Sequence, residues 1–466
     1  MDKFDLYRDG DWVKPSVDDY IEVENPATKE IIGEVPAAQE TDVELAIKGA
    51  KKAFPEWKAL EMEKRIEYLE KMHDYLVKNK EEIAKTIHQE LGAPKDFALK
   101  THVEAYLPHI EDYFRLAREF EEVEKFDGYE VHKEPVGVVG CLTPWNYPFG
   151  QIIKKIFPAL VVGNTVVLKP SQSTPLTAYY IIQAAHEAKL PAGVLQLVTG
   201  RGSEVGDILS KSEDVNMISF TGSTDGGSQI YKLSSDTVKK VTLELGGKSP
   251  TILLEDADYD EAVKSVLSSV YMNTGQSCSA KTRLVAPKKD KEKIEELLIK
   301  YSKEYKFGDP TREDVQVGPL QSKKQFEKVT GLVEVGKTEG KLLYQGDQPE
   351  GEGYFFPPTI FTDVDQNAKI AQTEIFGPVL SVIYYEDLDE AIEIANNTIY
   401  GLSGMVYGPE DEAREIAKKI RAGQILINGA SATHNAPFGG YKQSGIGREG
   451  SIYGLEEYVE LKTVVI

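Results

Sequence analysis

Between residues 136 and 245, short β-branched runs alternate with stretches of helical length, and this alternation limits the fold more than any other feature. The runs are Val136 to Leu142, Thr165 to Leu168, Val194 to Thr199, Asn216 to Phe220 and Val238 to Leu245. Between them lie stretches such as Thr177 to Lys189 and Ser223 to Leu233, long enough for crossover helices. Strand then helix, repeated, implies a parallel sheet with helices on both faces. Such a sheet presents its carboxyl ends on one rim, where ligands bind in open α/β folds. The segments after the strands are Thr143-Pro144-Trp145-Asn146, Lys169-Pro170-Ser171, Gly200-Arg201-Gly202, Thr221-Gly222-Ser223-Thr224 and Glu244-Leu245-Gly246-Gly247. Glycines, small hydroxyls and single charged residues therefore gather on one edge, which a cofactor cleft needs and a purely structural sheet does not.

A second α/β pattern begins at Ser249. Thr251 to Leu254 reads as a strand, Tyr259 to Asn273 as a helix and Arg283 to Ala286 as a strand. Val379 to Tyr385 and Gln424 to Asn428 are later strands, with helical Asp387 to Asn396 between them. A chain of 466 residues exceeds one ordinary core, so two or three domains are expected. Nearer the start, Thr41-Asp42-Val43-Glu44 reads as a capping box opening a helix toward Trp57. A longer helix is expected from about Glu63 to Leu91, stopped near Gly92. The charged stretch from Glu119 to Lys133 precedes Glu134-Pro135, a break between units. The tail, Tyr458 to Ile466, reads as a lone strand; an unpaired strand is an aggregation hazard, so its hydrogen bonds are expected on a neighbouring subunit.

The formal net charge of −22, without a basic tract, excludes a phosphate-neutralising surface and with it nucleic-acid binding. Two cysteines, Cys141 and Cys278, exclude a disulfide framework and a cysteine metal cluster. The seven histidines include no close pair at ligand spacing, so no metal is expected. Neither a secretory start nor a bilayer-spanning window appears, and the expected location is cytoplasmic, with no membrane partner. Gly247-Lys248-Ser249 resembles the end of a phosphate loop, but Thr242 occupies its upstream glycine position and Pro250 follows at once. Gly200 to Gly206 is one residue too long for the dinucleotide fingerprint, though it suits a strand-to-helix turn near a nucleotide.

Three residues could carry chemistry. Cys278 sits among small polar neighbours, Gly275-Gln276-Ser277-Cys278-Ser279, where a helix gives way to a loop; by type alone it is either a reachable nucleophile or a small buried hydrophobe. Cys141, inside an apolar strand, reads as structural. Glu244 ends an apolar strand before two glycines, which suits either a desolvated general base or an ion-pair partner at a junction. Asn146 lies between Pro144 and Pro148, a stiff turn that could aim an amide donor at an oxyanion or simply close an Asx-turn.

Taken together, these segments resemble the aldehyde dehydrogenase superfamily over nearly the whole chain. The resemblance rests on Thr-Pro-Trp-Asn-Tyr-Pro (143–148), Leu-Lys-Pro-Ser (168–171), Phe-Thr-Gly-Ser-Thr (220–224), Glu-Leu-Gly-Gly-Lys-Ser-Pro (244–250), Gly-Gln-Ser-Cys (275–278), Glu-Ile-Phe-Gly-Pro (374–378) and Pro-Phe-Gly-Gly-Tyr-Lys-Gln-Ser-Gly (437–445). It implies an α/β fold with a Rossmann-like NAD(P)-binding domain (1–116 and 138–246), an α/β catalytic domain (247–446) and a small β oligomerisation element (117–137 and 447–466). It implies oxidation of an aldehyde to a carboxylic acid through a thiohemiacetal and a thioester on Cys278. Asn146 and the Cys278 backbone N–H would hold the oxyanion, and Glu244 would activate water.

Rim and resemblance together put the cofactor near Thr143, Pro144, Trp145, Lys169, Ser171, Gln172, Gly202, Gly206, Phe220, Thr221, Gly222, Ser223, Gly227, Leu245, Gly246, Glu374 and Phe376. Lys169 would take the adenosine ribose, Glu374 the nicotinamide ribose, and Phe376 would pack beside it. Gln172 stands where family members often carry a glutamate that repels a 2′-phosphate, so NADP is expected to be tolerated alongside NAD. An acylating relative that passes its thioester to coenzyme A is the alternative, and retention of Glu244 argues against it; retention of nucleophile and base together argues against a non-enzymatic role. The substrate entrance is expected near Phe149, Gln151, Ile152, Ser277, Ser279 and the loop around His434, with no evident charged cluster, which favours a medium-sized uncharged aldehyde and leaves betaine-type and semialdehyde substrates open. A homodimer or homotetramer is expected from the tail strand.

Overall fold

The computed structural model describes residues 3–431, 433 and 435–466. Its first sheet has eight strands in the order Gly445–Ile446, Lys240–Glu244, Met217–Thr221, Val138–Leu142, Thr165–Lys169, Leu195–Leu197, Leu6–Arg8 and Asp11–Val13. The five middle strands are parallel, and antiparallel strands close both edges. These five are the β-branched runs of the sequence. They are buried on both faces, which explains why they read as continuous apolar segments rather than alternating ones. Winding reverses between Val138–Leu142 and Met217–Thr221, adjacent in space but separated in the chain by two other strands. This is a topological switch point, and the turns beyond these two strands diverge to leave a crevice.

A second sheet of seven strands runs Lys341–Gln345, Thr359–Thr362, Val379–Tyr385, Arg283–Pro287, Pro250–Leu253, Ser403–Tyr407, Gln424–Ile427. It is parallel except for the first pair. Hydrophobic layers lie on both of its faces, one gathered around Tyr271 and Leu298, the other around Phe361 and Ile394.

The tail strand differs from expectation. Val459–Val465 pairs antiparallel with Tyr129–Pro135 of the same chain, with Val459 opposite Pro135 and Val465 opposite Tyr129, and Val123–Phe126 completes a three-stranded sheet. The charged stretch before Glu134 supplies a partner that its composition concealed, because both of its strands are mostly half-buried and lack an apolar run. The tail is nevertheless an edge strand, and it exposes Leu461, Val465 and Ile466.

Two helix boundaries are also corrected. The first helix runs Glu40–Lys58 with Gln39 as its N-cap, and the Asp42 carboxylate accepts from the Gln39 N–H at 3.0 Å, so the capping box starts two residues earlier than Thr41. The long helix is two, Met62–Lys78 and Lys80–Leu91, hinged at Asn79; the second ends at Gly92 in the left-handed conformation.

Candidate active site

The cysteine loop is held by its backbone. Helix Tyr259–Tyr271 is followed by three consecutive left-handed residues, Asn273, Thr274 and Gly275, which reverse the chain. A Cβ on Gly275 would lie 2.1 Å from the Gly377 carbonyl oxygen, so only glycine lets the loop approach the Glu374–Pro378 segment. Asn273 Nδ2 donates to the Asn146 carbonyl at 2.8 Å, and Asn146 Nδ2 donates to the Gln276 carbonyl at 3.0 Å. The loop carrying Cys278 is thus bolted to the Trp145-Asn146 turn, joining the second sheet to the rim of the first. Asn146 is buried, and its amide nitrogen carries a second N–H beyond the one given to Gln276.

Cys278 is half-buried, whereas Cys141 is fully enclosed in its strand. Burial, together with the nearby Glu374 and Glu244 charges, pushes the Cys278 thiol up to about 12, and Lys154 opposes them. Its resting form at neutral pH is the thiol, so a base or a positive charge must help it ionise.

Glu244 ends its strand 2% exposed, and neither carboxylate oxygen has a hydrogen-bond partner among the described residues. Burial, then the Glu449 charge, holds its pKa well above the usual carboxylate range. Beside it lies an ion pair that sequence reasoning missed. Lys155 Nζ donates to Glu449 at 2.5 Å and to Ser219 Oγ at 3.2 Å, with both charged side chains buried. No local pattern joins residues 155 and 449; only folding does.

The switch-point crevice is lined by Pro144, Trp145, Asn146, Thr221, Gly222, Ser223, Leu245, Gly246, Cys278, Glu374 and Phe376, so most of the rim residues converge. Gln325 and Lys328 join them, from the helix Lys323–Glu339 that sequence reading had not singled out. Gln325 Nε2 donates to the Ile375 and Phe376 carbonyls at 3.2 and 2.7 Å. It thereby fixes Phe376, whose φ of 61° is left-handed and whose ring meets Trp145 edge-on at 5.3 Å. Glu374 accepts from the Gly247 N–H at 3.0 Å, and burial raises its pKa.

The remaining candidates surround this lining. Phe220 packs its ring beneath Gly222, and Gly227 lies against the Leu245 side chain. Lys169 is buried, donates to the Pro170 carbonyl at 3.0 Å and is pushed down to about 8 by burial. Ser171 Oγ accepts from the Ser173 N–H, and Gln172 is exposed. Gly202 and Gly206 lie on helix Gly202–Lys211, outside the crevice lining. Phe149 and Ile152 are fully buried in the main core rather than at an entrance. His434 lies outside the described residues.

The fit of a dinucleotide can be tested on the crevice itself. Thr143 Oγ1 and Thr221 Oγ1 are buried without a hydrogen-bond partner among the described residues, an arrangement that leaves polar groups for a ligand. Helix Thr224–Ser234 opens beside them, capped by Ser223 Oγ accepting from the Gly226 N–H, and its N-terminus suits an anionic phosphate. Among the described residues no group of three histidine, cysteine or acidic side chains is arranged for a metal, and no helix is long and apolar enough to cross a membrane.

A Rossmann-like sheet whose switch point faces a cysteine loop defines a class of nucleotide-dependent oxidoreductases. The chain belongs to the aldehyde dehydrogenase family, whose model matches residues 12–464, and it is an enzyme of that class. A Pseudomonas sp. protein named 3-succinoylsemialdehyde-pyridine dehydrogenase is 43% identical over 99% of this chain and 98% of its own. A mutant aldehyde dehydrogenase C from Pseudomonas syringae, complexed with NAD+ and octanal, superposes with a TM-score of 0.96 at 40% identity, over 99% of this chain and 96% of that one. An E. coli enzyme described as NADP dependent gives a TM-score of 0.96 at 33% identity, over 100% and 98% of the two chains.

Proposed function

We propose that the protein oxidises an aldehyde to a carboxylic acid with NAD or NADP, through a thioester on Cys278. One observation carries the reading: Asn146 and Cys278 line the same crevice, and Glu244, buried immediately before the lining residues Leu245 and Gly246, lies near enough for its charge to act on the thiol. The Cys278 thiol gives up its proton to solvent, its Sγ attacks the aldehyde carbon, and the carbonyl oxygen becomes an oxyanion. The free N–H of the Asn146 amide and the Cys278 backbone N–H stabilise that charge. The nicotinamide, when bound, supplies a two-electron acceptor for the hydride. Glu244, held at a raised pKa by burial, takes a proton from the water that cleaves the thioester and frees the thiolate. Overall, aldehyde, water and oxidised cofactor give carboxylate, reduced cofactor and two protons. Holding the cofactor falls to Trp145, Lys169, the Thr221-Gly222-Ser223 turn, Glu374 and Phe376, with Gln325 bracing Phe376 and Lys328 joining the lining. Gln172 leaves room for a 2′-phosphate without repulsion.

We assign three units: residues 1–116 with 138–246 bind cofactor, 247–446 carry the nucleophile, and 117–137 with 447–466 join copies into a dimer or tetramer. The test is absorbance at 340 nm with an aldehyde panel, crossed against NAD and NADP, with and without coenzyme A. Reduction without coenzyme A that disappears in Cys278→Ala supports the hydrolytic reading. Turnover only with coenzyme A transfers the enzyme to the acylating class, and inert NADP at high concentration removes the Gln172 argument.

A further inference from the structure

Lys154 stands on helix Pro148–Val161, which starts directly after the Asn146 turn. Gly150 and Gln151 lie one turn earlier, at the spacings that share its face. The Tyr106 ring lies flat on Gly150, so close that a Cβ there would fall 2.3 Å from it. From that position the ring meets Lys154, whose ammonium sits 5.5 Å from the Tyr106 centroid and 5.1 Å from that of Phe438. Tyr106 also approaches Tyr147, next in the chain to Asn146, at 6.4 Å. The turn delivering Tyr106 is a π-helix, Ala98–Glu104, whose wider pitch carries the following residues onto the helix.

Three aromatic rings and one ammonium therefore form a wall beside the cysteine loop. Lys154 has no carboxylate within ion-pair distance among the described residues, in a chain whose net charge is −22, whereas its neighbour Lys155 is matched by Glu449. The positive charge reaches the reacting groups, partly opposing the rise in pKa that burial imposes on Cys278 and Glu244. Rings hold a cation in place and partly desolvate it without neutralising it, so a complementary anion is left to the ligand.

Resting on the dehydrogenase reading above, we infer that Lys154 reads the tail of the substrate, and that the substrate is an aldehyde carrying a carboxylate, an oxo acid whose product is a dicarboxylate. The methylenes between the two ends lie along Tyr106, Tyr147 and Phe438, and the Lys154 ammonium donates to the carboxylate. This decides for a semialdehyde, a class the sequence left open beside the uncharged aldehyde it favoured.

The experiment compares kcat/KM for oxo acids of increasing chain length with that for their methyl esters, in the full-length enzyme and in Lys154→Met, Lys154→Arg and Lys154→Glu. The wild type is expected to prefer the acids. Lys154→Met should lower the acid-to-ester ratio about tenfold or more, the scale of one charge-assisted hydrogen bond, mainly through KM. Lys154→Arg should restore the ratio, and Lys154→Glu should invert it. Equal use of acids and esters by the wild type overturns the inference, as does an equal loss for both in Lys154→Met, which would make the lysine a field on Cys278 rather than a reader of the tail. Wild-type enzyme inert toward both series but active on other aldehydes overturns the tail assignment, as do active esters with poor acids. Silence toward every aldehyde with NAD and NADP overturns the proposed reaction instead.

Discussion

A carboxylate sealed at the end of a strand without a hydrogen-bond partner keeps its proton to a higher pH than one in water. Glu244 is such a group, and the consequence has two signs. In the role of base proposed for it, Glu244 works only when ionised, so the thioester-hydrolysis step should accelerate as pH rises through its raised pKa, and Glu244→Gln should remove that limb in single-turnover measurements. For stability the sign reverses. The folded state binds this proton more tightly than the unfolded state, so stability is lost as pH climbs from the unfolded carboxylate pKa to the folded one. Glu244→Gln should accordingly melt above the wild type at pH 8, with the gap narrowing toward pH 4. A lower melting temperature for the variant at pH 8 would show that the carboxylate is not strained in the fold. The residue type and its place before two glycines were legible in the sequence; its charge environment was not, because Lys155 and Glu449 come from remote segments.

At the scale of elements, the cysteine loop depends on backbone conformation more than on side chains. Asn273, Thr274 and Gly275 are all left-handed, and only glycine has room against Gly377. Gly275→Ala should therefore cost about 1–3 kcal/mol of stability and depress turnover more than cofactor affinity, measurable as a drop in kcat with little change in the KM for NAD. An undisturbed kcat would mean that the loop tolerates displacement. The parallel strands were readable because strands buried on both faces are written as unbroken apolar runs. The partner of the tail was visible only through the family resemblance, because the charged, half-buried strands Val123–Phe126 and Tyr129–Pro135 carry no apolar run and imitate a linker. Gln325 was invisible for a different reason: its task is to hold two carbonyls behind Phe376, and nothing in the surrounding helix signals it.

At the scale of the molecule, the three-stranded sheet leaves the tail strand as an unprotected edge with Leu461, Val465 and Ile466 in solvent. The second sheet likewise ends in an uncovered strand, Gln424–Ile427, whose residues are all only half-buried. Edges of this kind invite pairing with another chain. Deleting the last ten residues should shift the protein to smaller, less soluble species in sizing chromatography, and an unchanged elution position would count against an assembly built on the tail.

The bolt between Asn146 and the cysteine loop has a consequence for the newly made chain. The Asn146–Gln276 hydrogen bond joins residues 130 apart in the chain, so the crevice wall that carries Asn146 and Cys278 closes only after the second sheet has been made and has docked on the first.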